Sequence, residues 1–228
     1  MEEAAAWLKD GHAVQIICEA SPWLPPEAPK ADYLMQRSFA ARSGSLSLRV
    51  AVTLVANIAG DCPNLLADLR CGIYERRPLI CRIYPAETNP FVRLDPQKKS
   101  CPPEAWTSEQ PLLQRNDSLV SEEIRNDIRL WRESNTRDIG SKAAICAALN
   151  LDTASIAREG FFIFSPRSAE LLEVMLQLAD SDASAGETQW RLVSDREETL
   201  DRLAQAGANA FHPRNVKAGP YEFIGFER

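Results

Sequence analysis

The stretch SLSLRVAVTL, residues 45–54, decides how the rest of the chain is read. Leu46, Leu48, Val50, Val52 and Leu54 alternate with Ser45, Ser47, Arg49, Ala51 and Thr53. A period of two belongs to a strand that buries one face, because successive side chains leave a pleated backbone on opposite sides. Before this strand the sequence predicts a short opening helix, a strand around Val14 to Cys18 and a proline-rich loop from Pro22 to Pro29. A helix near Tyr33 to Ala41, stopped at Gly44, completes the N-terminal part.

After the strand the texture changes. Between Gly60 and Pro103 the prolines at 63, 78, 85, 90, 96, 102 and 103 confine any regular element to a turn or two, so something other than a backbone ladder must order this segment. A helix near Ser121 to Glu133 follows, with Ile124, Ile128 and Trp131 on one face, and another from Ser141 to Leu149. From about Asp152 the order is strand, helix, strand, helix, strand. The strands are Phe161 to Phe164, Gln189 to Val193 and Tyr221 to Phe226. Ser165-Pro166 is read as the cap of the first helix, Ser194-Asp195-Arg196-Glu197 as a capping box for the second, and Gly207 as its end. The Gly207-Ala208-Asn209 turn is the loop singled out for ligand contact. The expected fold class is α+β. Residues 1–150 form a loop-rich cysteine segment packed on helices and a short antiparallel sheet, and residues 151–228 a small βαβαβ-like module.

A chain of 228 residues with 45% hydrophobic content can bury one good core or two small ones. Its net charge of -6 argues against a general grip on nucleic acid or an anionic membrane, both of which reward excess Lys and Arg. The best apolar stretch, Leu46 to Ala59, is interrupted by Arg49, Thr53 and Asn57 and falls short of a membrane span. The first residues are acidic where a secretory signal is basic, which points to the cytoplasm. His-Glu-x-x-His, Gly-x-Ser-x-Gly, Walker and Gly-x-Gly-x-x-Gly patterns are all absent, and with them the usual hydrolase, nucleotide and dinucleotide signatures.

In a reducing compartment six cysteines are thiols, redox groups or metal ligands rather than structural disulfides. Four of them, Cys62, Cys71, Cys81 and Cys101, are spaced Cys-x8-Cys-x9-Cys-x19-Cys in a segment short of apolar residues. Thiolates are soft ligands, and four of them suit zinc or an iron–sulphur cluster. The long gaps dictate neither, since each ligand arrives from a different loop. Arg70, Arg76, Arg77 and Arg82 lie among the cysteines, where they can screen the negative charge of four thiolates around a dication. Arg76 and Arg82 are the candidate cofactor-binding residues. Cys146, in the apolar run AAICAAL, reads as a small buried hydrophobe.

The run CPNL at 62–65 with CGIYERRPLICRIYP at 71–85 resembles a cysteine-cluster family of zinc- or iron-chelating domains. Its pattern is Cys, Cys-x-Ile-Tyr, Arg-Pro, then Cys-Arg and an aromatic-Pro pair. The family usually opens with a Cys-x-x-Cys-x-x-Cys-Cys run, whereas here Cys18 alone precedes residue 62. Cys101, in Ser-Cys-Pro-Pro, falls where the family often has a further cysteine and is carried as fourth ligand, with Cys18 either its rival or a fifth thiolate. The cluster is also similar to that of flagellin lysine methylases. That likeness implies an iron–sulphur centre and a protein or peptide substrate.

Three functions fit these residues. One is a metalloenzyme whose iron–sulphur cluster supports redox or group-transfer chemistry. A second is a non-catalytic protein with zinc closed by four ligands, and a third is an interaction module built on the C-terminal α/β unit. Tyr74 and Tyr84 flank the expected site. Glu75 and Glu87 have no acid/base partner recognisable in sequence, and no catalytic residue is identifiable.

Overall fold

The computed structural model of the chain describes residues 1–116, 118–179, 188–216 and 219–227. The elements in order are α1 (Glu2–Lys9), β1 (Ala13–Ser21), α2 (Ala28–Met35), β2 (Ser38–Ser43), β3 (Leu46–Asn57), α3 (Leu79–Ile83), β4 (Gln114–Arg115) and β5 (Ser118–Leu119). They continue as α4 (Glu122–Arg137), α5 (Ile139–Ala148), β6 (Thr153–Ile156), β7 (Gly160–Phe164), α6 (Ser168–Ala179), β8 (Arg191–Val193), α7 (Glu197–Gln205), β9 (Ala210–Phe211) and β10 (Tyr221–Gly225). Helices and a mixed sheet make the fold α+β. Among the described residues no helix is long and apolar enough to cross a membrane.

Contacts divide the chain into one unit of Met1–Gly60 with Thr136–Arg228 and a second of Asp61–Asn135. Where the sequence suggests a division near residue 150, these boundaries fall at 60/61 and 135/136. The reason lies in β1. One edge pairs antiparallel with β3 along its whole length, from Ala13↔Asn57 to Ser21↔Arg49. The other edge is shared between β7, antiparallel at Ile16 to Cys18, and β6, parallel at Glu19 and Ala20. Strands from both ends of the sequence thus form one eight-stranded sheet.

The C-terminal part has the three expected strands as β7, β8 and β10 with α6 and α7 between them, and adds β6 and β9. β6, β8 and β9 run parallel and are joined through α6 and α7, whereas β7 and β10 are antiparallel. Thr153 to Ile156 is buried at every position and so shows no alternation to read. The helix expected over Tyr33 to Ala41 is a correction: α2 stops at Met35, and Ser38–Ser43 is a strand on β3. An alanine-rich run favours helix locally, but pairing along the buried face of β3 outweighs that preference.

The cap signals also shift. α6 starts at Ser168, and the Ser165 hydroxyl accepts from Gln15 Nε2 at 3.0 Å instead of capping it. Ser194 accepts the Arg196 N–H at 3.1 Å and donates to Glu159, so it forms a turn ahead of α7 and not a capping box.

Among the described residues, nineteen buried side chains, including Ile16, Val50, Ile145, Leu171, Leu192 and Leu203, form the core of this first unit. The β2–β3 hairpin turns through Gly44 at φ +56, the first central position of a two-residue loop that requires a positive φ. A Cβ on Gly44 would collide with the Gly207 carbonyl oxygen. Ser43 Oγ donates to the Asn209 carbonyl at 3.2 Å and accepts the Asn209 N–H at 2.9 Å. The Gly207-Ala208-Asn209 turn, singled out for ligand contact, is thus tied to the hairpin on one side while Gly207 and Asn209 remain exposed.

Candidate metal centre

The second unit holds all four candidate ligands in three short structures. The first is a turn. Leu65 N–H donates to the Cys62 carbonyl at 2.9 Å, Leu66 N–H to Arg70 at 2.8 Å and Gly72 N–H to Asn64 at 2.7 Å, while Leu65 and Cys71 form an isolated antiparallel bridge. Leu69, at φ 64 and 79% exposed, closes it. Cys62 and Cys71 thus sit on the two stems of one loop.

Cys81 lies exposed on α3, whose Ile83 is completely buried with Ala86 and Ile128. Leu79, Leu113, Leu119, Ile124 and Trp131 pack around those three, so the apolar face of α4 read from sequence is a packing face, and it meets α3. Arg82 reaches α4 from the same helix and donates to Asp127 Oδ1 at 2.5 Å. Arg132, one turn further along α4, donates to the Thr88 carbonyl through Nε at 3.0 Å and Nη2 at 2.8 Å. Cys101 is half-buried and directly follows Lys99 and Ser100. Ser100 N–H donates to the Tyr84 hydroxyl at 2.8 Å, and Lys99 Nζ pairs with Glu87 Oε1 at 2.6 Å.

Among the described residues no three His, Cys, Asp or Glu side chains converge closely enough to hold a metal ion. The donor chemistry fits zinc or iron in kind and number, since none of the four cysteines is in a disulfide.

Three of the four arginines have partners other than the cysteines. Arg82 is committed to Asp127, Arg70 pairs with Asp68 at 2.6 Å, and the Arg77 guanidinium lies 3.7 Å from the Tyr74 ring centroid. Arg70 holds the Asp68 carboxyl below its usual range by hydrogen bonding to it. Arg76 is exposed on a 3₁₀ turn. Arg82, expected to screen the thiolates from its place beside Cys81, also ties α3 to α4 through Asp127.

Cys18 belongs to the first unit and is 2% exposed on the inward face of β1. Its thiol hydrogen-bonds Cys146, which together with burial pushes it well above the ordinary thiol range. Cys18 is thus a buried thiol in the core of the first unit, whereas Cys101 lies in the second. Cys146, also 2% exposed, is the buried small hydrophobe expected.

Sequence reading misses Asp127, the Tyr84 hydroxyl and the Glu87–Lys99 pair. Asp127 leaves a signal, because a carboxylate three residues after Ile124 and four before Trp131 lies on the apolar face of α4 and needs a partner there.

Residues 27–102, a third of the chain, match the family described as CxxCxxCC, putative zinc- or iron-chelating domain. The match contains Cys62, Cys71, Cys81 and Cys101 and ends one residue beyond the last. The resemblance read from the residues holds over this region, and the family's character is that of zinc or iron chelation. No curated protein and no solved structure gives a match.

Proposed function

We propose that Asp61–Asn135 chelates zinc or iron through Cys62, Cys71, Cys81 and Cys101, and that the bound metal organises a unit whose own packing is thin. The observation that carries this is the size of its core. Ile83, Ala86 and Ile128 are its buried apolar side chains among the described residues, while Leu65, Leu66, Leu69, Ile80, Phe91 and Val92 are all more than 40% exposed. Three buried side chains contribute on the order of 5 kcal/mol before entropy is counted. A structural four-thiolate ion supplies on the order of 10 kcal/mol. The metal then stabilises this segment more than its own apolar packing does.

For the form of the metal we propose an iron–sulphur cluster, which the dispersed ligand spacing supports because a cluster is wider than a single ion. Such a cluster, when bound, supplies redox chemistry, and we assign it to redox or group-transfer modification of a protein or peptide in the cytoplasm, where thiols stay reduced. The thin core favours a second reading as well, a non-catalytic zinc site closed by all four thiolates. Anaerobic purification followed by iron, sulphide and zinc analysis separates them. Stoichiometric iron and sulphide with broad visible absorption is the expected result; a colourless protein holding one zinc per chain sinks the cluster and leaves chelation intact.

A further inference from the structure

Tyr84 stands one residue past α3 and three after Cys81, and its hydroxyl accepts the backbone N–H of Ser100 at 2.8 Å. Cys101 is the next residue. The same stretch is tied a second time by the Lys99–Glu87 pair at 2.6 Å, in which the lysine is 12% and the glutamate 28% exposed. The Lys99 ammonium also lies 5.7 Å from the Tyr84 ring centroid. Tyr84 itself is 46% exposed, so burial of its ring contributes little, and its distinctive offering is the hydroxyl.

Nineteen residues separate Cys81 from Cys101. An untied loop of that length leaves its far end free, and that freedom must be removed before both thiolates can share a metal. A hydrogen bond to the backbone immediately before the ligand removes it in advance, whatever side chain stands at position 100. Outer groups orient metal ligands in this way.

We infer that Tyr84 is a positioning residue for the metal site: its hydroxyl holds the main chain at Ser100 so that Cys101 is presented beside the turn carrying Cys81. This rests on chelation by the four cysteines.

The test is a double-mutant cycle with Co²⁺ alone as probe, titrated into the full chain under reducing, oxygen-free conditions and read by thiolate-to-cobalt absorption. Tyr84→Phe keeps the ring and removes the hydroxyl. It is expected to weaken cobalt binding about fivefold to tenfold in the native background. In a Cys101→Ala background the loss is expected to be less than about twofold, because the ligand being positioned is gone. Glu87→Gln, which cuts the second tie, is expected to show the same coupling with a smaller loss. Equal losses in the two backgrounds would mean that Tyr84 supports the whole unit, and would overturn the inference. So would no loss in the native background, or Cys101→Ala binding cobalt as tightly as the native chain. A native chain that takes up no cobalt at all fails one step earlier, at chelation itself.

Discussion

Arg82 on α3 and Asp127 on α4 form the inner tie of the cysteine unit, with the guanidinium 34% exposed and the carboxylate 1% exposed at 2.5 Å. Removing the arginine leaves a buried carboxylate without its charge partner, which is costlier than the pair's net worth. Because Arg82 is a third exposed, water offsets part of that cost. Arg82→Met is expected to destabilise the unit by about 2 kcal/mol, and Arg82→Met with Asp127→Leu by clearly less. Hydrogen exchange of α4 amides measures both. Equal protection in Arg82→Met and the native chain would show that the pair does not hold α3 to α4.

Cysteine replacements separate the two sets of thiols. Cys81→Ala is expected to lose the metal and loosen Asp61–Asn135. Cys146→Ala is expected to keep full metal content while destabilising the first unit by about 1 kcal/mol through a small cavity. Metal analysis and thermal unfolding of both variants check this. Normal metal content in Cys81→Ala means that the ligand set is misassigned.

Lys142 gives the first unit a pH signature. It is 7% exposed on α5, and burial pushes its pKa from 10.5 to about 8, with Arg37 acting in the same sense and Asp138 opposing. Between those values the unfolded chain holds a proton that the folded chain lacks, so stability rises with pH through that window. Below about pH 8 the full cost is present, on the order of 3 kcal/mol. Lys142→Met is expected to be more stable at pH 7 and to lose this rise, as denaturant unfolding at pH 7 and pH 10 will measure. An unchanged difference between the two pH values would exclude Lys142 as its source.

Gly44 tests the hairpin contact. Its φ of +56 and the closeness of the Gly207 carbonyl oxygen leave no room for a side chain. Gly44→Ala is expected to cost on the order of 3 kcal/mol, seen as a lowered Tm. An unshifted Tm would mean that the hairpin relaxes away from α7.

What is legible in the sequence follows from how local each signal is. The alternation from Leu46 to Leu54 and the Ile124, Ile128, Trp131 face are set by their own residues, and the structure has both. β2 reads as helix because its strand character comes from β3, which lies beyond any local window. β6 escapes notice because burial on both faces erases the pattern. In the cysteine segment the ligand candidates are legible as residue types. Their supports are not, since the Arg82–Asp127 tie spans 45 residues and the Ser100–Tyr84 bond depends on a hydroxyl meeting a backbone amide.

The most direct measurement of the central claim is the metal content of the native chain purified without oxygen, set beside that of Cys71→Ala and Cys81→Ala. The account predicts stoichiometric iron or zinc in the native protein and its loss from both variants. A native protein that carries neither metal, or variants that retain it in full, would contradict chelation by the four cysteines.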